Sequence, residues 1–433
     1  MTAASHPTLG PRWKRNFAAI WLGQQVSILG STVAGFALVW WLTQRTGSAT
    51  VLATASLVAI LPEILLGPIA GAYVDRWNRR LVMIVADGAI ALVSLWLAFL
   101  FWSGRMQVWH VYVIMVARSL GGCFHWPASM ASTRLLVPEE HLARIQGLNQ
   151  TVQGALKVAG PPMGALLLAW LPLHGIMFID VGTAALAIML LLGTHIPQPS
   201  RADWAPGVAR PSIWADIREG LRYVIGWPGL LTVLLMGTLL NFTGVPMWVL
   251  LPLFVTKHFG GGALQLGWME SAWGVGLLVG GLALSAWGGF RRKALTAMLG
   301  IVLQGISSLI VGFSPPTAFW LAAGAWGLGA FFNVFVNGPL MALFQSVIKP
   351  EMQGRLFTVT MSLSGLAMPL GLVLAGPAAD HWGVTPLYIF GGATAVLCGA
   401  AGLMIPAIMH LEDQAKAQEP LAVVEEAGKI AEM

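Results

Sequence analysis

The sequence predicts an all-α polytopic membrane protein with twelve transmembrane helices in two six-helix repeats and both termini cytoplasmic. Three observations predict it: the composition, the spacing of the apolar runs, and the placement of Lys and Arg. The chain has 433 residues, of which 57% are hydrophobic and only 10% charged, with a mean hydropathy of +0.74. A soluble domain carries roughly 25% charged residues. That gap excludes a soluble enzyme, a disordered chain and a nucleic-acid-binding module, and a net charge of +6 on so few charged groups does not argue otherwise. A spanning helix needs about 20 apolar residues, so helix plus loop takes roughly 35 and the length holds about twelve.

The helices read at 16–43, 50–74, 81–103, 107–133, 144–170 and 173–195, then at 228–257, 264–289, 294–313, 317–347, 355–381 and 384–409. Each is long, apolar and bounded by Gly, Pro or charge. Residues 1–195 form a first bundle and 228–410 a second. The connection, 196–227, is charged. Its second half spaces Ile213, Ile217, Leu221 and Val224 as one helical face, which predicts an amphipathic helix on the membrane surface. Residues 411–433, with Glu412, Asp413, Glu419, Glu425, Glu426 and Glu432, read as a mobile polar tail. Arg12, Lys14 and Arg15 precede a first apolar run too long for a signal peptide, so that run is expected to be retained. Cys123 and Cys398 lie far apart in apolar segments and make no disulfide framework.

Lys and Arg set the orientation. Of 24 such residues, only Arg45, Arg105 and Lys257 fall in outward loops when the N-terminus is inside, and Arg118 and Lys157 fall within helices. All the others lie on the cytoplasmic side. The halves also echo each other. Pro138-Glu139-Glu140 in one loop matches Pro350-Glu351 in another, at the same offset that separates Arg79-Arg80 from Arg291-Arg292. Parallel six-helix repeats are a recurrent transporter architecture.

The segment Gly71-Ala72-Tyr73-Val74-Asp75-Arg76-Trp77-Asn78-Arg79-Arg80 resembles the signature loop of the major facilitator superfamily, G-x-x-x-D-R-x-G-R-[KR]. Asn78 stands in place of the last glycine, and Asn tolerates the left-handed backbone such a turn uses. Arg118 followed by Gly121-Gly122 resembles that superfamily's proton-antiporter arginine motif, without its usual glutamine. Gly160-Pro161-Pro162-Met163-Gly164 resembles its antiporter glycine–proline motif. Phe124-His125-Trp126-Pro127-Ala128, Val137-Pro138-Glu139-Glu140-His141-Leu142 and Leu251-Pro252-Leu253-Phe254-Val255-Thr256-Lys257 are similar to the macrolide-efflux and enterobactin-exporter branch. The resemblance implies secondary transport by alternating access: proton-coupled efflux of hydrophobic or amphiphilic small molecules by a bacterial plasma-membrane protein. It further implies that Gly71, Asp75, Arg76, Arg79 and Arg80 form a gating loop bracing the bundles.

Residues for that chemistry are sought among intramembrane polar groups, because a charge at the bilayer centre costs at least about 2.5–3.5 kcal/mol. Glu63, Arg118 and Lys157 fall at mid-depth. Burial favours the neutral form of Glu63, whereas a neighbouring Lys157 or Arg118 favours its charged form, so the site could load and release a proton. A static Glu63–Lys157 pair holding two helices together is the alternative. Arg118 either couples protons or braces helices through backbone carbonyls. Asp87, Asp180, Glu270 and Asp380 read as nearer helix ends, where snorkelling or capping is expected. Asp180 and Glu270 are kept as further proton-coupling candidates. His125 reads as a lone core histidine or a proton relay. Gln24, Asn241, Phe331, Asn333 and Asn337 are candidates for the wall of a substrate cavity, a large apolar surface with a few amides. Gly67 with Gly71, Gly160 with Gly164, and Gly276 with Gly280 make G-x-x-x-G spacings that allow close helix approach. The Pro161-Pro162 pair is expected to bend its helix.

No nucleotide-binding loop, metal-ligand spacing or nucleophile motif stands out. The expected partners are therefore a small amphiphilic substrate, protons and membrane lipid, with no cofactor, no metal and no nucleic acid, around a monomer. Alternatives are a proton-uncoupled exporter or lipid flippase of the same fold, and a transport-dead membrane scaffold or sensor.

Overall fold

The computed structural model describes residues 13–74, 77–194, 196, 218, 221–348 and 350–413. Among them there is no strand. The helices are α1 (Trp13–Thr46), α2 (Ala49–Val74), α3 (Arg79–Trp102), α4 (Val108–Leu136), α5 (Glu139–Trp170), α6 (Leu173–Leu192), α7 (Pro228–Val249), α8 (Leu251–Phe259), α9 (Ala263–Trp287), α10 (Lys293–Phe313), α11 (Phe319–Val347), α12 (Pro350–Trp382), α13 (Thr385–Met404) and α14 (Pro406–Met409). Nine of those described are long and apolar enough to cross a membrane. The long helices outside that set are α4, α5 and α12, which carry more polar residues.

The chain forms two compact units, Met1–Gly207 with Gly261–Glu270, and Val208–Gly260 with Ser271–Met433. In the first, α1 packs on α5 and α6, and α3 on α4 and α6. In the second, α7 packs on α12 and α13, and α10 on α11 and α13. The same four pairings thus recur in the second unit. Each unit has its own core: Phe17, Ile20, Met83 and Leu191 in the first, and Leu230, Met298, Ile301 and Leu343 in the second.

Several local expectations shift. The helix expected at 228–257 breaks at Leu250, where Pro252 begins α8 without an N–H to give back to the preceding turn. Gly260, at φ 62°, closes α8 in the left-handed region. The helix expected from 144 begins at Glu139, with Pro138 as its N-cap, because charged residues at a membrane surface do not interrupt a helix. Asn78 is not left-handed. At φ −67° and ψ 108° it is the N-cap of α3, and its side chain accepts from the backbone N–H of Leu81. α5 continues through Pro161 and Pro162 to Trp170. Of the expected surface helix, residues 212–217 lie outside the described residues, and 221–225 are helical with Val224 fully buried. Of the expected tail, Leu411 is buried and Glu412 lies 3.4 Å from Lys293, while 414–433 fall outside the described residues.

Candidate functional site

The strongest polar constellation joins four helices of the first unit. Arg118, in the middle of α4, donates through Nη2 to Asp180 Oδ2 on α6. Its Nη1 donates to the Ser31 carbonyl on α1 at 2.8 Å. Ser31 Oγ donates to Asp180 Oδ1 at 2.8 Å, and Ser94 Oγ of α3 donates to Oδ2 at 2.6 Å. The side chain of Asp180 is 1% exposed and that of Arg118 21%. Three donors therefore satisfy one carboxylate, two of them neutral hydroxyls and one a cation. Asp180 is thus mid-helix, two turns into α6, and neither snorkels nor caps. The helix bounds alone had placed it too near an end.

Asp87 is corrected in the same way. It is buried two turns into α3, and Gln24 Nε2 of α1 donates to its Oδ2 at 3.0 Å. His125 is not alone: its Nε2 lies 3.4 Å from Asp87 Oδ1, although out of line for a hydrogen bond. Gln24 is thus held by that carboxylate through its Nε2.

Glu63 and Lys157 are not brought together. Both side chains are exposed, and neither makes an ion pair or hydrogen bond among the described residues. The reason is topological: α2 packs on α4, α5 packs on α1, and Arg118 is taken by Asp180. Glu270 on α9 is half-buried, also without a hydrogen bond or ion pair among the described residues.

In the second unit, Asn337 Nδ2 donates to Asn333 Oδ1 at 3.0 Å, and Asn333 Nδ2 lies 3.4 Å from Gln304 Oε1 of α10. Phe331 packs against Phe332 and Phe335. Asn241 only returns a bond to the Gly237 carbonyl in its own helix. Of the signature loop, Asp75 and Arg76 lie outside the described residues, and Gly71 falls in the last turn of α2. Arg79 donates to the Ala131 carbonyl of α4. Arg80 donates to the Leu191 and Leu192 carbonyls, so that a cation closes the C-terminus of α6. The antiporter-like glycines sit against α1. A Cβ on Gly160 would meet Thr32 Cγ2 at 2.8 Å, and one on Gly164 would meet Phe36 Cδ1 at 2.9 Å, with Pro161 between them on the same helix.

Comparison with known proteins decides the family. The family model described as transmembrane secretion effector matches residues 6–429. The chain belongs to that family of major facilitator transporters. Macrolide efflux protein A of Streptococcus pyogenes is 36% identical over 386 residues, covering 89% of this chain and 94% of that protein. Multidrug efflux pump Tap of Mycolicibacterium fortuitum is 27% identical over 419 residues, covering 93% and 97%. Among solved structures, a bacterial homologue of the iron transporter ferroportin in its inward-facing state aligns with TM-score 0.67 at 17% identity, over 90% of this chain and 98% of that one. A bacterial homologue of the lysosomal transporter Spinster aligns with TM-score 0.64 at 13% identity, over 94% and 98%. At such identities these two speak for the fold alone. This secretion-effector chain is accordingly an integral, multi-pass transporter of the bacterial plasma membrane, not an enzyme.

Sequence reasoning missed several partners in this transporter. Ser31 and Ser94 carry no signal, since serine is common within membrane helices. Asp87 did carry one: it is an ionisable residue two turns inside an apolar run. The second unit also gathers Trp248, Trp273 and Trp326, with ring centroids 4.7–5.9 Å apart, from positions far apart in sequence.

Proposed function

We propose that this transporter exports hydrophobic or amphiphilic small molecules by alternating access, driven by proton entry. Two relatives named as efflux pumps, aligned over nearly their whole length, support the direction and the substrate class. The observation that carries proton coupling is Glu63. It is a mid-helix carboxylate with no cation and no hydrogen-bond donor among the described residues, and Arg118 is committed to Asp180. Such a group must meet water or a proton, because hydrocarbon will not hold it charged. It takes up a proton on the outer side and loses it on the inner side as the bundles, 1–195 and 228–410, change access. Lys157, also unpaired among the described residues, biases that release. Glu270, half-buried and without a partner among the described residues, is a second carrier. Asp180 and Arg118 form the fixed brace, and the loop at Gly71, Asp75, Arg76, Arg79 and Arg80 gates the cytoplasmic side.

The membrane arrangement belongs to the same proposal. The nine apolar spans plus α4, α5 and α12, of 29, 32 and 33 residues, make twelve crossings, with both termini in the cytoplasm. At 1.5 Å per residue each of these three is long enough to cross.

The test uses vesicles holding wild type or Glu63→Gln under an inward-acid gradient, with flux of an amphiphilic drug as readout. Gradient-driven flux abolished by the substitution, with drug binding retained, is the expected result. Equal flux from both proteins removes Glu63 and points to Glu270 or an uncoupled carrier.

A further inference from the structure

The first unit contains a cavity of about 160 Å³ between α1, α4 and α5 that the proton-coupling candidates do not line. Six of its lining side chains are amides, Gln146 among them, beside apolar ones such as Phe17, Ile20 and Met83. Gln24 and Gln25 come from α1, and Asn149, Gln150 and Gln153 from α5, beside the indoles of Trp21 and Trp126. The hydrogen-bond account of these groups is incomplete. Gln24 turns its Nε2 to Asp87, so its Oε1 faces away from a carboxylate that cannot donate. Gln25 Oε1 is buried with no partner, as is His125 Nε2, which also borders the cavity. The half-buried Gln153 and the exposed Gln150 add side chains that make no hydrogen bond among the described residues, although neither holds a buried unpartnered atom. Trp21 Nε1 donates to Asn149 Oδ1, leaving the Asn149 amide nitrogen unengaged.

Buried polar atoms are left without partners chiefly where a ligand or ordered water completes them. A hydrocarbon ligand would worsen the deficit here by desolvating the amides. A ligand that donates and accepts at several neighbouring positions would remove it. Each hydroxyl of a polyhydroxylated ring does both, and the C–H face of such a ring lies flat on an indole. We propose that this cavity is the subsite for a hydroxylated ring, such as a sugar substituent, carried by an amphiphilic substrate. Gln24, Gln25, Gln150 and Gln153 make the direct contacts. Asp87 is a positioning residue that fixes the orientation of the Gln24 amide. The inference rests on the export reading for the identity of the ligand as cargo, but not for its binding.

The test compares a glycosylated macrolide with its sugar-free aglycone on the purified full-length protein in nanodiscs, using titration calorimetry. The glycoside is expected to bind about tenfold or more tightly, and Gln150→Leu/Gln153→Leu to weaken it about tenfold while leaving the aglycone unchanged. Two lost neutral hydrogen bonds correspond to about that factor. Gln25→Leu is a second, milder variant expected to act in the same direction, and gel filtration checks that both remain folded. Equal affinity of the two ligands for wild type, no glycoside binding, or unchanged glycoside affinity in both folded variants overturns the subsite and leaves water as its occupant. Outward flux is measured separately in vesicles. Glycoside-selective binding without flux sinks the export reading and keeps the subsite, whereas flux without selectivity does the reverse.

Discussion

Asp180 shows how a carboxylate persists inside an apolar bundle. Its charge is matched by Arg118, and its lone pairs are taken by Ser31 and Ser94. Removing one partner of such a pair leaves an uncompensated buried charge, which costs about 3–5 kcal/mol. Asp180→Asn should therefore lower the thermal midpoint in detergent markedly. The double variant Asp180→Leu/Arg118→Met should recover most of that loss, because an apolar pair of similar volume strands no charge. A single variant that melts like wild type would show that the pair contributes nothing. Arg80 works at a surface end rather than in the core. Its two bonds to the last carbonyls of α6 are charge-assisted, and Arg80→Ala should cost about 1.5–3 kcal/mol. The loss should be read as earlier proteolysis between α6 and the following segment as well as a lower melting point. In sequence, Arg118 and Asp180 were both visible as candidates, but their pairing was not, because an ionisable residue advertises its depth and not its partner.

At the scale of helices, the small residues divide into those that bring helices together and those that do not. Gly160 and Gly164 admit Thr32 and Phe36 of α1, and Gly276 and Gly280 admit α11, where a Cβ on Gly276 would meet Ala330 Cβ at 2.9 Å. Nothing approaches within 4 Å of a Cβ on Gly67. The G-x-x-x-G spacing is the same in all three helices, so spacing predicts permission for close approach and not its use. Gly164→Leu should cost about 1–3 kcal/mol through overpacking against Phe36. Gly67→Ala should change stability by less than about 1 kcal/mol, the scale of helix propensity alone. Equal melting shifts for the two would remove the α1–α5 contact as the meaning of the motif. Most helix bounds were legible to within a turn. They failed at residues 139–144 and 350–355, where charge was read as loop although helices carry charge readily at a membrane surface, and at Leu250, where Pro252 divides one expected helix in two.

Across the whole molecule, the four helix pairings repeated between the units match the offset at which Pro138 and Arg79 reappear as Pro350 and Arg291. A repeat in sequence and a repeat in packing are independent observations of one duplication. The distribution of Lys and Arg predicts an orientation that labelling can check. With Cys123 and Cys398 replaced by alanine, an impermeant maleimide added to whole cells should label Arg105→Cys and spare Arg291→Cys. Both positions are exposed, so the reverse pattern would invert the topology.

The sequence by itself determined that the chain is a helical, multi-pass membrane protein, since hydropathy and helix length are one-dimensional signals set by the thickness of the bilayer. Its motifs also placed it within the major facilitator superfamily. Only the tertiary structure decided which buried charges meet. Arg118 finds Asp180, 62 residues away along the chain, Gln24 finds Asp87, and Glu63 and Lys157 find no partner among the described residues, because partner choice depends on which helix faces pack, a property of the bundle that no single helix encodes.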